Sequence, residues 1–133
     1  MVNKKRLDRL VPLAMELLAN QQNGMVNKDG SVSGTYHGYV SSFGAMMALS
    51  SPLAAALQFE NSEQSEKDKG AVTRTILKVM KADPQGQAQD SHAETLSEYL
   101  QPLSGTITRR HKQDLAAACI ALKLALRCYP KGQ

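Results

Sequence analysis

Tryptophan is absent and aromatic residues make up only 5% of the chain. A row of rings on which successive bases stack, the device of sheet-based RNA-binding domains, is therefore not available, so any bound nucleic acid is held mainly by its phosphates. Cysteine is also scarce, with Cys119 and Cys128 alone near the C-terminal end. On one helix these two thiols lie roughly 13 Å apart along the axis and cannot bridge each other. A disulfide scaffold and a four-ligand zinc site are both disfavoured, and small apolar side chains in a reducing compartment are the simpler reading.

A long uninterrupted apolar run is missing as well. The stretch from Tyr36 to Phe59 carries no formal charge. Its densest part, Phe43 to Leu57, is only about 15 residues long where a spanning helix needs about 20. Ser50, Ser51 and Pro52 interrupt it. Ser51 followed by Pro52 reads as an N-cap with proline at the first helical position, so two helices are expected, about 36–50 and 52–60. Small residues such as Gly44, Ala48 and Ala55 allow close helix approach, and the stretch reads as core rather than as a membrane span or a cofactor box. At the N-terminus, basic residues precede apolar ones as in a signal peptide. Arg9 and Glu16 break the apolar part, however, and a cytoplasmic protein is expected.

What is present describes an ordinary globular domain. A length of 133 residues suits one domain with a sizeable core, and 42% hydrophobic with 21% charged residues argues against disorder. The formal charge of +4 and a pI near 9.2 are compatible with an anionic partner. Leu7, Leu10, Val11, Ala14, Leu17 and Leu18 form one helical stripe, with a kink or a late start near residue 10 expected from Pro12. Asn23-Gly24 and Asp29-Gly30 mark a mobile loop over 20–34. A polar linker over 61–70 precedes a helix with Val72, Ile76, Val79 and Met80 inward. A loop over 82–90, a short helix from Ser91 to Gln101 and a last helix from about Thr106 to Tyr129, stopped by Pro130 and Gly132, complete the chain. No strand shows convincing alternation. The fold class is all-α, a single-domain compact bundle of five to six helices.

Two basic stripes stand out. Arg74, Lys78 and Lys81 share one helix face at i, i+4 and i+7. On the last helix Arg109, Lys112, Lys123 and Arg127 fall within about 60° of each other, beside an apolar face through Ile107, His111, Leu115, Ala118, Leu122, Ala125 and Tyr129. A solvated helix face explains one such stripe. Two stripes without interleaved acids favour phosphate contacts. Ile120 and Leu124 point away from the core face and suit a subunit contact if exposed. The histidines His37, His92 and His111 have no metal-ligand spacing, the serines lack a nucleophile elbow, and no glycine-rich loop follows a strand. Neither enzymatic activity nor any cofactor or metal is expected.

The order Tyr39-Val40-Ser41-Ser42-Phe43-Gly44-Ala45, then Ser51, Leu53, Ala56 and Phe59, then Ala121-Leu122-Lys123 near the end of the last helix, resembles the small helical subunit of type III-B CRISPR effector complexes, the fifth protein of the Cmr module. The resemblance implies a non-catalytic protein of antiviral defence, stacked in several copies along the guide-target duplex. Its implied partners are the backbone RAMP subunits, the large polymerase-like subunit, further copies of itself, and crRNA and target RNA. The small subunit of a type III-A complex, and a free-standing helical oligomeric adaptor with solubilising basic faces, are the alternatives.

Overall fold

The computed structural model describes residues 3–20, 24–62, 67–103 and 105–132. Among them the chain forms six α-helices: α1 (Lys4–Ala19), α2 (Gly34–Leu49), α3 (Pro52–Glu60), α4 (Gly70–Ala82), α5 (Leu96–Leu100) and α6 (Arg109–Leu126). The all-α expectation holds. Helix α6 is the hub, packing on α1, α4 and α2, while α3 and α5 close the other side of α4.

Local chemistry places most boundaries. Asn3 caps α1 by accepting from the Lys5 amide at 2.8 Å. The late start expected from Pro12 does not occur, since α1 runs from Lys4 through Pro12 to Ala19. Proline removes one amide donor, but Asp8 and Pro12 are both exposed, so water can satisfy the carbonyl left over. Ser51 caps α3 at 3.1 Å from the Ala54 amide, with Pro52 at the first helical position, as expected. At the end of α2 the Ser50 hydroxyl turns back to the Met46 carbonyl at 2.7 Å, so the chain breaks between two adjacent serines.

Helix α6 is shorter than 106–129, because Thr108 stops it at the front with a capping box: its hydroxyl faces the His111 amide while His111 Nδ1 accepts from the Thr108 amide at 3.0 Å. His111 is thus a capping residue at the half-buried helix start and not a core histidine. Beyond α6, Pro130 does more than stop a helix. Its carbonyl accepts from the Val32 amide at 2.9 Å, and a two-residue parallel pair forms between β1 (Val32–Ser33) and β2 (Lys131–Gly132), too short for any alternation to be read. The loop over 20–34 is anchored there, with Met25, Ser31, Val32 and Ser33 buried; residues 21–23 lie outside the described residues, as do 63–66 of the expected linker.

The charge-free stretch is only partly core. Tyr36, Val40, Phe43, Ala55, Ala56 and Phe59 are buried, but Ala45, Ala48, Leu49 and Ala54 face outward. The scarce aromatics gather on the buried side. Tyr36, Tyr39, Phe59 and Phe43 meet edge to face in a chain with centroids 5.8, 6.4 and 5.1 Å apart, and the Lys69 ammonium sits 5.2 Å from the Tyr39 and Phe59 rings.

A buried charge cluster ties the hub together. Arg6 of α1 donates from Nε and a terminal nitrogen to Asp83 at 2.8 and 2.6 Å, and from the same terminal nitrogen to Asp114 of α6 at 2.6 Å. Only 11% of the Arg6 side chain is exposed. Burial disfavours its charge, but the hydrogen bonds and charges of Asp114 and Asp83 outweigh that and hold the guanidinium above its ordinary pKa. Asp83 ends α4 and also accepts from the Gln85 amide, and Asp114 accepts from the Gln87 amide, each at 2.9 Å, so the loop expected over 82–90 is gathered by the same cluster.

Arg6→Ala leaves two buried carboxylates without their cation. It is expected to destabilise the fold by about 3–5 kcal/mol, against less than about 0.5 kcal/mol for the exposed Lys5→Ala, measured by urea denaturation. Equal losses for the two variants would contradict this role.

Candidate nucleic-acid interface

The solvent face of α6 follows from what its other side must bury. Leu115, Ala118, Leu122 and Ala125 are buried as expected, and Asp114, Ala117, Cys119, Ala121 and Leu126 join them. Cys119 lies against α2, and burial pushes its thiol up to about 11. The remaining arc carries the predicted cations. Arg109, Lys112 and Arg127 are exposed and Lys123 is half-buried; among the described residues none of the four has an ion pair. Between the cations at the two ends stand Ile120 and Leu124, each 37% exposed, which fulfils the expectation that they leave the core.

The α4 stripe is different. Arg74 is exposed but bonded to Asp68 at 2.7 Å, and this bond holds the Asp68 carboxyl below its ordinary range. Such an exposed pair contributes about 0–1 kcal/mol and yields readily to a stronger anion. Lys81 is half-buried and donates to the Ala93 carbonyl. Lys78 is exposed with no ion pair among the described residues. Spacing put three cations on one face, yet the structure turns two of them to internal partners. Asp68 lies six residues before Arg74 and was legible in principle; the Ala93 carbonyl carries no sequence signal.

Next to α6 is an apolar groove of about 420 Å³ where the end of α2 and the start of α3 meet its first turns. Gly44, Met47, Pro52, Ile107 and Leu115 line it, and Lys112 reaches its edge. Leu49, at the adjoining corner, is 88% exposed. Apolar side chains this accessible beside cations describe a surface fit for macromolecular contact. The aromatic rings do not add a stacking platform, since Tyr36, Phe43 and Phe59 are buried.

Among the described residues no three His, Cys, Asp or Glu side chains gather as a metal site, and no helix is long and apolar enough to cross a membrane. No protein-family model, curated protein or solved structure matches the chain.

The outward position of Ala48 gives a sharp contrast with Ala55. Ala55→Glu places a charge and added volume in the core and should cost more than about 3 kcal/mol, while Ala48→Glu on the open side of α2 should stay within about 0.5 kcal/mol. Thermal unfolding of the two variants measures this; a large loss at Ala48 would show that the α2 face is buried.

Proposed function

We propose that the protein is a non-catalytic, RNA-binding helical subunit of a cytoplasmic ribonucleoprotein, the small subunit of a type III-B CRISPR effector complex. The observation that carries the RNA-binding part is the α6 face, where Arg109, Lys112, Lys123 and Arg127 stand over several helical turns with no carboxylate partner among the described residues. Lysines and arginines spread along a helix suit successive phosphates of a strand, and they work without base readout. Lys78 and the readily exchanged Arg74 of α4 supply secondary contacts, whereas Lys81 contributes only if it leaves Ala93.

The subunit part rests on the exposed apolar positions. Ile120, Leu124 and Leu49 are exposed apolar positions that a neighbouring subunit would cover, and the groove beside Lys112 offers it apolar contact with a charged edge. Backbone RAMP subunits, the large polymerase-like subunit and further copies of this chain are the proposed occupants, with crRNA and target RNA along the cations. The same apolar positions favour one second reading, a free-standing oligomeric adaptor whose basic faces only solubilise it. The small subunit of a type III-A complex shares the first reading's chemistry.

Changing Arg109, Lys112, Lys123 and Arg127 to alanine should leave folding and assembly intact while weakening target RNA binding by the reconstituted complex. With a log-log salt slope of about 0.7 per single-strand phosphate contact, the slope should fall by roughly two to three units. A variant complex that assembles and keeps both the affinity and the slope of the wild type would make the α6 stripe a solvated face and favour the adaptor.

A further inference from the structure

Where α6 ends, the chain turns back and β2 docks on β1, directly before the first turn of α2. This brings Lys131 of β2 opposite Val32, two residues before α2 begins, so that the charges of Lys131 and of Arg127 at the end of α6 both act on His37, some ninety residues earlier in the chain, in the first turn of α2. Arg127 and Lys131 are exposed, with no ion pair among the described residues. His37 is half-buried, and its Nε2 is covered by protein without a hydrogen-bond partner among the described residues. Asp29, in the loop that leads to β1, is occupied by the Ser31 amide and hydroxyl at 2.9 and 2.6 Å. The N-terminus of a 16-residue helix adds its own positive end to the corner.

We infer that Arg127 and Lys131, beside His37, form a site for a phosphate oxyanion of an RNA backbone, continuing the α6 face, and that proton uptake by His37 strengthens binding through its charge. The inference rests on the RNA-binding reading and adds Lys131, His37 and a pH dependence to it. Burial holds the free ring below its ordinary pKa, and the charges of Lys131 and Arg127 push the same way. These are the charged groups acting on it from β2 and from the end of α6; the first turn of α2 contributes its positive helix end. An anion laid across the two cations offsets their repulsion, so the bound ring holds a proton more firmly than the free ring. Binding then takes up a proton from solvent. Affinity rises as pH falls through the window between the bound and free values and levels off above it.

The test is an NMR titration of the His37 ring in the full chain, free and saturated with a uridine oligonucleotide, whose bases do not take up protons between pH 5.5 and 8. The expected result is a rise of about one unit in the His37 pKa on binding, matched by an affinity up to about tenfold higher at the acid end, and loss of that pH dependence in His37→Gln. In Arg127→Ala/Lys131→Ala the free ring should move up toward its ordinary value and the RNA-induced rise should vanish. An unmoved His37 in a chain whose RNA binding still depends on Arg109 and Lys112 would overturn this inference alone. Absence of salt-dependent RNA binding would remove it together with the reading it rests on. Inorganic phosphate at fixed ionic strength, raising the His37 pKa as much as the oligonucleotide does at equal concentration, would overturn the backbone assignment in favour of a small-anion site.

Discussion

One guanidinium determines how the three main helices meet. Arg6 is nearly dry, and a dry cation is tolerable only with its charge matched and its donors occupied. Asp83 and Asp114 do both, one from the end of α4 and one from the middle of the α6 wall. The geometry leaves little freedom, because planar donors must point at two fixed carboxylates. Once Asp114 turns inward to Arg6, the opposite side of α6 must face solvent, and that side is where the cations lie. The buried charge and the exposed charge are therefore two consequences of one helix orientation.

Periodicity made much of this legible. The inward stripes of α1 and α4 and most of α6 follow from apolar spacing, and Ser51-Pro52 marks the start of α3 because cap chemistry is local. Arg6 was not legible. Lys4, Lys5, Arg6 and Arg9 look alike in sequence, and nothing local tells that one of them meets carboxylates 77 and 108 positions away. The open side of α2 failed for another reason: with no charge between Tyr36 and Phe59, no residue marks the wet face, so Ala48 and Ala55 look equivalent although only Ala55 is buried. Of the candidate site, the α6 stripe could be read because α6 is long and regular. The α4 stripe could only be half read, since Lys81 finds a carbonyl in a loop. The corner of His37 and Lys131 depends on a two-residue strand pair and left no pattern at all.

Function on this surface is a matter of arrangement. Cations at both ends of α6 flank Ile120 and Leu124, so a strand following the phosphates would run beside an apolar strip available to a neighbouring protein. An RNA-bound subunit needs both contacts at once. Phosphate attraction gives affinity without sequence preference, and apolar packing sets position along the strand. In the proposed reading the strand is held by its phosphates, because the buried rings offer no platform for stacking bases.

The central claim is that nucleic acid lies along the outward face of α6. Its most direct test is photocrosslinking of RNA containing 4-thiouridine to the assembled complex, with the crosslinked peptides of this subunit mapped by mass spectrometry. Crosslinks are predicted within 109–127 and at 131, on the side of Lys112, Ile120 and Lys123. Crosslinks confined to α1 or α5, or no more from the native complex than from denatured protein, would contradict it.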